Sequence, residues 1–224
     1  MQALQAQEGE EHQMFSDRKD AGQRLGRYLV DEGIRASVVL GLPRGGVPVA
    51  AEVASCLGLP LDVIVVRKLG LPYHPEVAMG AIGEDGVRIV DADLIRRLGV
   101  TTAQLEAVER RERQTLEARV ASLRGSRPRL DLSGKTALIV DDGIATGATA
   151  SAACAVARRF GAARVIVAAP VGARDAMHQV EGADRVICLR PPADFRAVGE
   201  YYRNFDPTTD AEVAAHLDAA RVGS

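Results

Sequence analysis

Tryptophan is absent from this chain of 224 residues, and phenylalanine and tyrosine number four each. With aromatics at 4% of the residues, platforms on which single-stranded bases stack are excluded. An excess of charge of either sign is missing as well. The 28 Lys and Arg stand against 30 Asp and Glu, a formal net charge of −2, so no whole-chain field gathers nucleic acid. No apolar run approaches the roughly 18 residues that a membrane-spanning helix needs. The opening MQALQAQEGEEHQMF lacks the basic start and apolar centre of a secretory leader. Residues 1–14 are therefore expected to form a polar, disordered tail, and the protein to be cytoplasmic, with no membrane partner. Cysteines number three, Cys56, Cys154 and Cys188, too widely spaced for a CxxC pair. They read as free thiols in a reducing compartment, each a small buried hydrophobe.

Glycine, at 22 residues, is plentiful and clustered, while 47% hydrophobic and 26% charged residues match an ordinary globular chain. The length suits one sizeable domain with an appendage. Short β-branched runs recur: Ser37–Leu42, Asp62–Val66, Thr136–Val140, Arg164–Ala168 and Arg185–Leu189. Each is apolar on both faces, as buried parallel strands are. Helix-period stretches lie between them over Asp17–Glu32, Val47–Leu57, Ala148–Phe160 and Ala173–Val180. The alternation predicts an α/β fold, a parallel sheet with right-handed crossovers.

About seventy residues between Val66 and Thr136 break the alternation. The Gly-rich part, residues 67–90, holds at most two short strands, Val77–Ile82 and Val87–Val90. Residues 101–124 predict an amphipathic helix with Leu105, Val108, Leu116, Val120 and Leu123 inward. Its other face carries arginines interleaved with Glu106, Glu109, Glu112 and Glu117, which reads as a solvated face and not a nucleic-acid patch. Beyond Arg190, Phe195, Tyr201, Tyr202 and Phe205 gather in a chain otherwise poor in aromatics. They either pack the C-terminal segment onto the sheet or line a pocket.

The chemistry concentrates in Thr136–Thr149, TALIVDDGIATGAT. A strand ends in two carboxylates, a Gly/Thr loop follows, and an Ala-rich helix begins. Ligands of open parallel sheets bind beyond the carboxyl ends of strands. A loop entering a helix offers amides, hydroxyls and a positive dipole end, which together cradle a phosphate. Asp141 and Asp142 would repel a bare phosphate. They suit a ligand that also presents hydroxyls or brings Mg²⁺, and a ribose 5-phosphate meets both requirements. No Lys follows the second Gly and no GxGxxG is present, so the triphosphatase and dinucleotide readings fail on spacing.

Val140–Thr149, through Asp141, Asp142, Thr146, Gly147 and Thr149, resembles the signature with which type I phosphoribosyltransferases bind 5-phosphoribosyl 1-pyrophosphate (PRPP). Gly41–Pro48, GLPRGGVP, resembles that family's pyrophosphate loop, in the Arg-Gly-Gly form of bacterial xanthine-guanine enzymes. Arg67-Lys68 resembles a cationic pair of the orotate branch. The resemblance implies an open, mostly parallel sheet flanked by helices with a small C-terminal hood. The PRPP-binding core would be residues 15–189, with a mobile loop region at 67–90, and the hood residues 190–224. It implies displacement of pyrophosphate from PRPP by a nitrogen nucleophile, a nucleobase in nucleotide salvage, with Mg²⁺ as cofactor. Asp141 and Asp142 would hold ribose hydroxyls and, directly or through water, the metal. Gly143, Ile144, Ala145, Thr146, Gly147, Ala148 and Thr149 would anchor the 5-phosphate. Arg44, Gly45 and Gly46, with Arg67 and Lys68, would take the pyrophosphate, and Phe195, Tyr201 or Tyr202 would stack on the base. His74 and Glu76 read as plain loop residues more readily than as proton carriers.

One position departs from the pattern. Many 6-oxopurine enzymes of the family carry an acid where this chain has Ala145, whereas adenine enzymes carry Ala. The loop thus fits adenine while Arg-Gly-Gly fits xanthine-guanine, and the acceptor stays open between a nucleobase and another amine. A PRPP-sensing regulator without turnover is the alternative; a basic nucleic-acid-binding face would favour it, and the sequence has none. Assembly as a homodimer is compatible with either reading.

Overall fold

The computed structural model describes residues 14–75, 77–125 and 127–222. The first half runs α1 (Arg18–Asp31), β1 (Val38–Gly41), α2 (Gly46–Leu57), β2 (Leu61–Val63), β3 (Val66–Gly70), β4 (Ala78–Gly83), β5 (Arg88–Val90), α3 (Ala92–Arg97) and α4 (Thr102–Arg124). The second runs β6 (Thr136–Val140), α5 (Ala148–Arg159), β7 (Arg164–Val171), α6 (Arg174–His178), β8 (Arg185–Arg190), a 3₁₀ turn (Val198–Tyr201) and α7 (Asp210–Val222). Among these helices none is long and apolar enough to cross a membrane.

Five strands form one parallel sheet in the order β2-β1-β6-β7-β8. Successive side chains of a strand point to opposite faces. Val39, Leu138, Val140, Ile166 and Ala168 join the core shared with α1 and α2, while Val38, Leu40, Ile139, Val165 and Val167 join the core under α5. Both faces are covered, which is why the strands read as unbroken apolar runs. The chain is thus an open parallel sheet flanked by helices, as the alternation predicts. The second strand stops at Val63, however, and Val66 opens a different sheet.

That second sheet is antiparallel, β3-β4-β5, and it occupies the segment expected as a mobile loop. Helix α4 packs on it through Leu105, Val108, Leu116 and Leu123 against Leu69, Met79 and Ile82. Thr101 starts α4 with a capping box to Gln104. The charged face of this helix is not simply solvated. Glu112 and Arg124 are buried, and Glu109 pairs with Arg88 at 2.7 Å and Arg113 at 3.0 Å. Arg124 meets Asp62 at 2.7 Å, Glu84 at 2.9 Å and the Val63 carbonyl at 3.0 Å. Asp62 also accepts from the Leu130 amide at 2.8 Å. This ion cluster ties α4 and the small sheet to the edge strand β2.

The C-terminal residues do two things. Tyr202 bridges to Phe15, whose amide donates to the Tyr201 carbonyl at 2.8 Å. Helix α7, unmarked in the sequence, then joins the α1–α2 core through Val213 and Leu217. Of the three thiols, Cys154 is buried and Cys188 half-buried, but Cys56 is exposed, contrary to its reading as a buried hydrophobe. Residues 1–13 and Glu76 lie outside the described residues.

Candidate active site at the carboxyl ends of the strands

Strands β1 and β6 lie side by side, so the loops that leave their carboxyl ends meet. Gly45 and Gly46 make that meeting possible. A Cβ on Gly45 would collide with the Asp142 carboxylate, and one on Gly46 would stand 2.7 Å from the Val140 carbonyl and 3.0 Å from Asp141 Oδ1. Only glycine permits this approach. The Arg-Gly-Gly turn and the paired acids therefore form one surface, from segments about a hundred residues apart.

The two acids sit in different surroundings. Asp141 Oδ1 accepts from the Asp142 amide at 2.9 Å. Burial, reinforced by the adjacent Asp142 charge, pushes the Asp141 carboxyl well above the usual carboxylate range. Asp142 instead forms an ion pair with Arg18, Nε to Oδ2 at 2.9 Å. The same guanidinium donates to the Asp206 carbonyl at 2.7 Å and lies 4.0 Å from the Phe205 ring centroid. The Asp142 carbonyl accepts from the Tyr202 hydroxyl at 2.6 Å. Arg18 had no motif around it to mark it; its role appears only when α1 is packed beneath the aromatic segment.

Beyond the acids, Gly143 is half-buried beside Val198. Ile144 is buried, and its amide and carbonyl pair with the end of β7 and the residues just beyond it, to the Val171 carbonyl at 3.0 Å and the Ala173 amide at 2.9 Å. That anchor leaves Ala145, Thr146 and Thr149 exposed, Gly147 buried in a left-handed turn at φ 76°, and Ala148 opening α5. The first amides of a helix have no partners within it; here the Ala148 amide turns to the Thr146 hydroxyl at 3.5 Å, and a helix end of this kind is able to receive an anion.

Arg67 and Lys68 do not follow a strand end, as expected, but belong to β3. They still reach the site. A cavity of about 390 Å³ brings Pro43 of the Arg-Gly-Gly loop together with Arg67, Lys68, Thr149 and two residues of α4, Arg111 and Arg119. Glu112 accepts from Arg67 at 2.7 Å and Arg111 at 3.1 Å. Burial opposes its ionisation, yet these bonds outweigh burial and hold its carboxyl below the ordinary value. Arg44 faces Asp210, the first residue of α7, at 3.7 Å. The α4 residues and Asp210 escaped sequence reading, because helical charge runs look alike whether they face solvent or a cleft.

The aromatic candidates separate. Phe195 and Tyr201 stack at 5.8 Å with rings 7° apart, both half-buried. Tyr202 is 4% exposed, wedged against Phe15 and Phe205. It braces Asp142 and has no face to offer a base, which corrects its reading as a stacking residue. His74 is exposed on the β3–β4 turn.

A family model described as "Phosphoribosyl transferase domain" matches residues 81–204, and the chain belongs to that family. Two curated relatives from Mycobacterium tuberculosis, strains H37Rv and CDC 1551, each carry the name "Putative phosphoribosyl transferase". Each is 54% identical over 208 residues, 92% of this chain but 47% of their own length. The chain thus spans about half the length of those relatives. A solved structure, that of TT1426 from Thermus thermophilus, is 43% identical, covers 91% of this chain and 97% of its own, and superposes with a TM-score of 0.84.

Proposed function

We propose that this protein transfers the 5-phosphoribosyl group of PRPP to a nitrogen atom of a nucleobase and releases pyrophosphate. The observation that carries this reading is the cavity in which Pro43, next to the Arg-Gly-Gly turn, meets the β3 cations and Thr149 of the acid-bearing loop. A phosphate cradle, a paired-acid strand end and a cationic cleft are what a phosphorylated ribose bearing a diphosphate requires.

The nitrogen lone pair forms the new bond to C1 of the ribose while the bond from C1 to the pyrophosphate oxygen breaks. That bonding pair leaves with pyrophosphate, and the displaced base proton passes to solvent. Thr146, Gly147 and Thr149 hold the 5-phosphate, and this remote binding fixes C1 for attack. Asp141 and Asp142 hold the ribose hydroxyls, with Arg18 and Tyr202 keeping Asp142 in place. Arg44, Gly45, Gly46, Arg67 and Lys68 receive the charge that builds on the leaving pyrophosphate. Phe195 and Tyr201 form the acceptor side of a hood, and the small sheet lines the pyrophosphate end through Arg67 and Lys68.

Among the described residues no group of three or more His, Cys, Asp or Glu side chains gathers as a metal nest. Two adjacent carboxylates nonetheless fit Mg²⁺, which keeps several waters and takes further oxygens from substrate phosphates. Asp141 and Asp142 would hold it, and it would supply charge neutralisation at the diphosphate.

The test is pyrophosphate release from Mg²⁺–PRPP across adenine, guanine, xanthine, hypoxanthine, orotate and uracil. With Ala145 in place of an acid, the 6-oxopurines are expected to react about 10²-fold or more slowly than adenine, the scale of positioned acid-base help. Brisk guanine turnover would refute that ranking. Silence on every base, with PRPP still raising the melting temperature, would turn the reading to a PRPP sensor or to another amine. No thermal shift at millimolar PRPP would sink it altogether.

A further inference from the structure

We infer that Arg119 of helix α4 is a further substrate-binding residue, a guanidinium that grips the diphosphate group beside Arg67 and Lys68. The inference rests on the PRPP reading and deepens it.

Two arginines on α4, Arg119 and Arg124, make the case by contrast. Arg124 is what a structural arginine looks like: buried, with Asp62, Glu84 and the Val63 carbonyl satisfying its donors. Arg119 faces the other way, into the cavity with Arg67 and Lys68. Its Nε is buried and has no hydrogen-bond partner, the one such side-chain atom among the described residues. A buried donor without an acceptor is costly, and such donors persist where a ligand supplies the acceptor.

The surroundings say which ligand. Burial and the nearby charges of Arg44 and Arg67 weaken the hold of Arg119 on its proton, and Asp210 alone offsets them. Glu112 answers Arg67 and Asp210 answers Arg44, which leaves the Arg119 Nε as the buried donor that still lacks an acceptor. Arg44, Arg67, Lys68 and Arg119 come from three separate elements, the β1–α2 loop, β3 and α4. Cations converging from several sides match a compact polyanion with oxygens on adjoining phosphorus atoms, and a planar guanidinium fork takes two such oxygens at once.

Binding of inorganic pyrophosphate and of ribose 5-phosphate, each in Mg²⁺ buffer, separates the possibilities by calorimetry. Arg119→Gln is expected to weaken pyrophosphate by about 10- to 100-fold, the scale of a charge-assisted hydrogen bond. Ribose 5-phosphate, seated at the acid loop, should bind as to the unaltered protein. Arg119→Lys should recover part of the loss, since charge returns without the fork. Arg110→Gln removes an equal charge from the exposed face of the same helix, where Arg110 faces Glu106 at 3.8 Å, and should change nothing. If pyrophosphate binds the unaltered protein and Arg119→Gln equally, the inference is overturned while the PRPP reading stands. Equal losses in Arg119→Gln and Arg110→Gln, or equal losses for both ligands, overturn it too, as long-range field or misfolding. If the unaltered protein binds neither ligand, the PRPP reading itself falls and takes the inference with it.

Discussion

Asp142 is gripped at both its side chain and its main chain, by Arg18 and by the Tyr202 hydroxyl. Tyr202→Phe removes one oxygen and leaves the Asp142 carbonyl facing an apolar ring. The expected cost is roughly 1 kcal/mol, a fall in melting temperature of about 2–4 °C for a domain of this size. An unchanged thermal midpoint would mean the hydroxyl bond contributes nothing. The same residues show what a sequence tells at this scale. Asp141, Asp142, Thr146, Gly147 and Thr149 were legible because one short, unbroken stretch carries the whole pattern. Arg18, Arg119 and Asp210 were not, since each acquires its meaning from residues that the fold brings near it from dozens of positions away. Tyr202 was misread for a related reason: composition counts an aromatic ring but does not say which way it faces.

At the scale of elements, the parallel strands were legible to within a few residues, because burial on both faces leaves an apolar run with sharp ends. Two strands of the small sheet were legible too, expected at Val77–Ile82 and Val87–Val90 and found at Ala78–Gly83 and Arg88–Val90; β3, and the pairing of the three into a sheet apart from the main one, were not. Gly80 lies against the Ile89 carbonyl, and Gly83 stands 2.7 Å from Val156, measured from where a Cβ would be. These glycines let β4 pack closely on β5 and α5, and in doing so they weaken the alternation that marks a strand. What read as looseness in the sequence is tight packing in the fold. The ion cluster around Arg124 holds this sheet to the main one. Arg124→Met would strand Asp62 and Glu84 as buried carboxylates without a cation, at a cost of roughly 3–5 kcal/mol. Urea unfolding measures it; a loss under about 1 kcal/mol would show that water enters and screens the pair.

Across the whole molecule, order is not evenly spread. Strands β6 and β7 are buried along nearly their full length, whereas β5 is half-exposed at the edge of the small sheet and α3 has no buried residue. Native-state hydrogen exchange should therefore be slowest in β6 and β7 and fastest in β5 and α3, with the small sheet opening before the large one. Equal protection in both sheets would contradict this order of opening. The strand order β2-β1-β6-β7-β8 was beyond the sequence, which fixes that strands run parallel without saying which are neighbours. Yet that order makes the site, because it sets β1 beside β6 and so joins two loops far apart in the chain.

Arg18, Arg44 and Arg67 each face a carboxylate that the chain itself supplies, Asp142, Asp210 and Glu112. On the proposed reading the site is an ion exchanger and not an open well of positive potential. An arriving anion must trade places with a tethered one, whose effective concentration is high because the backbone holds it there. Chloride or a single carboxylate gains one contact for each it displaces and has no net reason to stay. A molecule with several charges on a short span displaces several tethered groups in one event, so selection by valence precedes selection by shape.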